Sequence, residues 1–152
     1  LIERASYNHP YDSPEAFARR FYGLIDFWDR EDYEHLPILA KTFFSNKLKS
    51  QYLKVRVADE KLVQEVGCAN DFNILKDSQE VFSGFVVGAA SPKDQYGIIN
   101  VPVYFYFSPD KTEHSIILQI TVDRGRWQIV DIVYPRSQTS LIKILERCAA
   151  KL

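Results

Sequence analysis

The spacing of hydrophobic positions changes near the middle of the chain. Up to about Val66 large apolar residues recur at helical intervals, and from Glu80 onward they alternate with their neighbours. Ser13 has the form of an N-cap, Pro14 suits the first helical position, and Glu15 favours the positive end of the helix dipole. Phe17, Phe21, Leu24, Ile25 and Trp28 then share one face of a helix that the charged run Asp29 to Asp32 ends. Gly23, alone inside that helix, predicts a close-packing contact. A short helical piece covers Pro37 to Phe43, and Ser45 or Asn46 caps a further helix carrying Leu48, Tyr52, Val55, Leu62 and Val66 on one side. Val55 and Val57 are β-branched, so a kink or break is expected between them, and Gly67 is the expected stop. Residues 1–12 hold no period and read as an extended lead-in to a single domain over 13–152.

About four strands fit between the turn clusters Ala90 to Gln95, Ser108 to Thr112 and Asp123 to Arg126. Val101, Val103, Phe105 and Phe107 alternate with Pro102, Tyr104 and Tyr106, and Ile116, Leu118, Ile120 and Val122 alternate with Ile117, Gln119 and Thr121. Gly125 supplies the positive φ of a tight hairpin leading into a last strand, Trp127 to Tyr134, which Pro135 ends. Ser137 or Thr139 then caps a final helix with Leu141, Ile144, Leu145, Cys148 and Leu152 on one stripe. Helices first and antiparallel strands after define an α+β domain with the helices on one face of a meander-like sheet.

Composition narrows the class. With 152 residues, 46% hydrophobic and 26% charged, the chain suffices for one soluble domain with its own core. No apolar run approaches the roughly 18 residues of a membrane span. A net charge of −1 argues against binding nucleic acid by phosphate neutralisation, and Lys47, Lys49, Lys54, Arg56 and Lys61 read as a solvated helix face. The sequence has no Met, which implies a processed or trimmed product. Cys68 and Cys148 lack metal-ligand or redox spacing. They read as two small buried hydrophobes, or as one disulfide if the chain is exported.

Asp131 is the one candidate for catalysis. Strand alternation puts it on one face with Trp127, Ile129 and Val133, where an apolar setting raises a carboxylate pKa towards acid–base use. A hydrogen bond to a backbone amide, Arg126 or Arg136 would instead make it structural. His35 is expected to bound a helix and His114 to face solvent at a strand start. No nucleophile triad, phosphate loop or metal-ligand cluster is present, so no metal or cofactor is expected. The candidate binding residues are Tyr104, Tyr106, Gln119, Gln128, Trp127 and Tyr134. Tyr104 and Tyr106 share a strand face, expected to neighbour Gln119, Thr121 or Gln128 according to register, and offer rigid amphipathic contact area to a protein partner or a second copy. Pro102 implies an edge or a bulge in that strand.

The run Gly125, Trp127, Ile129, Asp131, Ile132 and Tyr134, followed by Ser140 and Leu141, resembles the ending of a bacterial domain-of-unknown-function family within the nuclear transport factor 2-like superfamily. Phe21 with Tyr22, Leu48 after Ser45, and Asp71 with Phe72 extend the resemblance over about residues 13–145, with Phe72 standing where family members typically carry Pro. The resemblance implies a cone-shaped fold and a periplasmic or lipid-anchored envelope protein whose signal segment has been removed. It also implies a non-enzymatic module that binds a protein or a small ligand in the cone. Two alternatives stay open: an immunity protein that neutralises a secreted toxin, and a cone-pocket isomerase or hydrolase using Asp131 with a Tyr donor.

Overall fold

Helices α1 (Pro14–Arg30), α2 (Leu36–Phe43) and α3 (Asn46–Lys61) precede strands β1 (Gly84–Val87), β2 (Ile99–Phe107), β3 (Thr112–Asp123), β4 (Arg126–Tyr134) and β5 (Thr139–Ser140), and α4 (Leu141–Ala149) follows them. The computed structural model describes residues 13–30, 36–61, 82–107 and 112–150. The lead-in 1–12, His35, Leu62, Val66, Gly67, Cys68, Asp71, Phe72 and Leu152 lie outside the described residues.

Local chemistry starts α1, α3 and α4 where the sequence offers a hydroxyl oxygen. Ser13 Oγ accepts from the Ala16 N–H at 3.0 Å, so the first cap is the expected one. Between the two candidates for α3 it is Ser45 that caps, its Oγ accepting from the Leu48 N–H at 3.2 Å. The same residue anchors the helix to the sheet, because its N–H donates to the Ile129 carbonyl at 2.8 Å beside a Phe44–Ile129 bridge. Helix α3 passes through Val55, Arg56 and Val57 unbroken, contrary to the expected kink. Packing of Leu48, Tyr52 and Val55 into the core outweighs the few tenths of a kcal/mol that β-branching costs. Gly23 also departs from expectation: it is exposed, and a Cβ there would meet nothing within 4 Å.

The sheet is open and antiparallel, in the order β1-β2-β3-β4-β5. Register places Val101 opposite Leu118, Val103 opposite Ile116 and Leu118 opposite Ile132, all buried on the face that meets the helices. Aromatic rings fill the space between α1 and β2. Tyr22 stands edge-on to Phe105 at 4.9 Å and Phe21 edge-on to Phe43 at 5.0 Å. The expected count of about four strands rises to five because Thr139 and Ser140 pair with Tyr134 and Val133. Neither Ser137 nor Thr139 caps α4: the first lies in the Pro135–Gln138 turn and the second in β5, while Ser140 Oγ accepts from the Lys143 N–H.

The β3–β4 turn and Gly88 both depend on unusual backbone freedom. Arg124 and Gly125 have φ of 53° and 74°, the paired positive values of the tight β3–β4 hairpin. Gly88 permits a close approach, since a Cβ there would stand 2.8 Å from Pro102 Cγ and 3.1 Å from Tyr104 Cε2. Pro102 itself lies in an interior strand, but just past the last β1 pair, Val87 with Val103. Its carbonyl accepts from the Gly88 N–H at 2.8 Å, and its missing donor falls where the β1 ladder ends.

Candidate functional site

Asp131 owes its position to one extra residue in β4. Ile120 pairs with Ile129 and Gln119 with Asp131, so Val130 is left over as a bulge. The insertion reverses the alternation. Trp127 and Ile129 point to the core, while Asp131 joins Gln119 on the opposite face. The sequence-based grouping of Asp131 with Trp127 and Ile129 is therefore corrected, because it assumes unbroken alternation.

The Asp131 side chain is only 8% exposed. Its Oδ1 accepts from the Ile132 N–H at 2.8 Å and from the Ile142 N–H at 2.9 Å, and the Ser140 hydroxyl donates to the same carboxylate. Arg126 and Arg136 are not among these partners. Desolvation raises the Asp131 pKa above the ordinary carboxylate range, opposed by the hydrogen bonds from Ile142, Ile132 and Ser140 and by the charge of Lys143. The arrangement is that of a helix clasp. Ser140 and Asp131 each satisfy an otherwise orphan N–H in the first turn of α4, and the carboxylate sits at the favourable end of the helix dipole.

Cys148 closes the other end of α4. It is buried, as its stripe predicts, and it is disulfide-bonded, which replaces the expected reduced hydrophobe with the alternative of a cross-link. His114 is half-buried instead of facing solvent. Its ring lies 4.8 Å from that of Phe107, and Arg136 Nη1 stands 2.9 Å from its Nδ1 and also reaches Nε2.

The face of the sheet away from the described helices carries Tyr104 and Tyr106. Tyr104 stands opposite Val86 on β1 and Ser115 on β3, and Tyr106 opposite Gly84 and Glu113. Gln119 lies four residues beyond Ser115 on β3, opposite Asn100, about 13 Å from the Tyr104 row at strand spacing and farther still from the Tyr106 row. Its Nε2 donates to Asn100 Oδ1 at 3.0 Å, and Gln128 pairs with Thr121 beyond it. The tyrosines and the glutamines thus occupy opposite ends of one face. Trp127 and Tyr134 belong to neither end: both are buried on the helix-covered face. Val86, absent from the sequence-based set, is 52% exposed beside Tyr104, and Tyr106 is 38% exposed. Alternation in the short run Gly84 to Val87 is the signal that could have found Val86, by placing it outward between Phe85 and Val87.

Among the described residues no group of three or more His, Cys, Asp or Glu is placed to hold a metal ion, and no helix is long and apolar enough to cross a membrane. The architecture defines an α+β domain with its helices on one face of an open antiparallel sheet. Comparison with protein-family models, with curated proteins and with solved structures finds no match.

Proposed function

We propose that this chain is a non-catalytic binding module of the bacterial envelope, built on a nuclear transport factor 2-like cone, that takes a protein partner or a second copy on its outer sheet face. The observation that carries the reading is the composition of that face around Val86, Tyr104 and Tyr106. An aliphatic side chain exposed beside two tyrosines offers rigid contact area with hydroxyls at its rim, the chemistry by which protein interfaces gain energy from few residues. The Asp131 carboxylate supports the non-catalytic half of the proposal, since it is buried and accepts from the Ile132 and Ile142 N–H groups and from the Ser140 hydroxyl.

The test is an affinity pull-down from envelope extract with sedimentation analysis of the purified chain, comparing the parent with the Tyr104→Ala, Tyr106→Ala double variant. The reading expects a partner or a dimer that the double variant loses. Retention of both by the double variant overturns it. A secreted toxin as the captured partner would select the immunity function implied by the resemblance.

A further inference from the structure

Residues 36–58 hold five basic side chains and no carboxylate, on a chain whose net charge is −1. Four of the five are Lys41 on α2 and Lys47, Lys49 and Lys54 on α3. A helical lysine ordinarily finds its partner three or four residues away. Every such position around these four is uncharged, so neither helix supplies a partner at that spacing. None of the four makes an ion pair with another described side chain. Arg56 is set apart from them, because its Nη1 donates to the Tyr52 hydroxyl at 3.1 Å and Glu60 follows four residues later.

This charge does not serve the helices. Lys47 and Lys49 stand in the first turn of α3, which holds no acidic residue, and the positive end of the helix dipole disfavours cations there. The first turn of α1, by contrast, carries Glu15. Lys41, Lys47 and Lys54 are exposed, and Ile38, one turn before Lys41 on the outward side of α2, is 51% exposed. Lys47 and Lys54 share one side of α3, about 10 Å apart along its axis, and Lys49 lies on the other flank. The charges are thus spread over a helical layer and do not converge on one point, a layout that suits anions distributed over a plane. Lysine is a hydrated point charge without the guanidinium fork, which fits diffuse attraction better than bidentate recognition of a single phosphate or carboxylate. The exposed aliphatic side chain beside Lys41 gains from an acyl boundary, which a nucleic acid does not offer.

We infer that α2 and α3 form a docking surface for a bilayer rich in anionic phospholipid, in which Lys41, Lys47, Lys49 and Lys54 attract the headgroups and Ile38 enters the headgroup boundary. These helices cover the face of the sheet opposite Tyr104 and Tyr106, so the contact leaves the outer face open and does not depend on what that face binds.

The experiment is flotation of the purified full chain with vesicles of phosphatidylcholine alone or of phosphatidylcholine and phosphatidylglycerol in equal parts. The chain is expected to float with the anionic vesicles at least about tenfold more than with the neutral ones, and raising salt from about 0.05 M to about 0.5 M should release it. The double variant Lys47→Glu, Lys54→Glu is expected to lose at least about tenfold in affinity for the anionic vesicles, while the charge-matched control Lys93→Glu, Arg124→Glu stays within about twofold of the parent. All four substituted side chains are exposed, and the salt series on the parent reads the same surface without any substitution. The proposal is overturned by the absence of a preference for the anionic vesicles, by binding that salt does not weaken, by an equal loss in the charge-matched control, or by duplex DNA that displaces the chain from the vesicles.

Discussion

The Asp131 carboxylate accepts the backbone N–H of Ile142 at 2.9 Å, joining the residue that follows the β4 bulge to the first turn of α4 across eleven positions of sequence. The bond fixes where α4 begins, and the substitutions that probe it separate its hydrogen-bonding from its charge. Asp131→Ala leaves the Ile132 and Ile142 donors without their acceptor, which is expected to destabilise the fold by about 1–3 kcal/mol. Asp131→Asn keeps an oxygen in place and removes the buried charge, so its unfolding free energy from urea denaturation should stay within about 1 kcal/mol of the parent.

The pH dependence of that difference has a definite sign. The folded-state pKa of Asp131 is raised, so the folded chain binds this proton more tightly than the unfolded chain does. The resulting stabilisation is fully present below the unfolded carboxylate pKa of about 3.9 and is lost as pH rises through the folded value. Stability of the parent minus that of Asp131→Asn should therefore fall as pH rises from about 4 and then level off. Thermal melts at stepped pH check this, and a difference that grows with pH contradicts the assignment.

Gly23→Ala should stabilise the chain. The position is helical and exposed, and a methyl group added there meets nothing within 4 Å, so the substitution only lowers the entropy of the unfolded chain and improves helix propensity. An increase of about 0.5–1 kcal/mol in chemical denaturation is expected.

Gly88→Ala should do the reverse, because its methyl would meet Pro102 Cγ at 2.8 Å where the strand backbone limits retreat. A loss of about 1–3 kcal/mol is expected, with hydrogen exchange accelerated in β1 before β3.

Deletion of Val130 tests the bulge directly. Removing that residue restores simple alternation, with Ile129 and Ile132 still inward and Asp131 still opposite Gln119. The deletion should fold, at a cost of about 1–2 kcal/mol, in the middle range for single changes. Deletion of Ile132, which turns Val133 inward and the buried Tyr134 outward, should not yield a cooperative transition.

The elements legible in the sequence are those whose periodicity is enforced by one buried face. Val101 to Phe107 and Ile116 to Ile120 alternate because each strand lies between the helices and the outer surface, and the Leu141 to Cys148 stripe is equally plain. The bulge is hidden because Ile129, Val130, Ile132 and Val133 are all branched and apolar, so an extra residue leaves no break in the pattern. Alternation carried unbroken through Val130 therefore sets Asp131 beside Trp127, on the wrong face. The offset between the tyrosines and Gln119 depends on strand register, which alternation alone does not determine. The cap of α4 is hidden for a different reason: Ser137, Thr139 and Ser140 all carry a suitable oxygen, and only pairing of Thr139 and Ser140 with β4 selects the last.

The order of the sheet follows the order of the chain, each strand pairing with the one just before it. Each hairpin can therefore close as soon as its second strand has left the ribosome, without waiting for a distant segment, and such local pairing favours rapid assembly. The N-terminal helices differ: Ser45 waits for Ile129 of β4, and α1 waits for β2. Tyr22 meets Phe105, eighty-three residues later, so the aromatic stripe of the first helix remains incompletely covered until β2 has been synthesised. During that interval the nascent chain offers its apolar surface to chaperones.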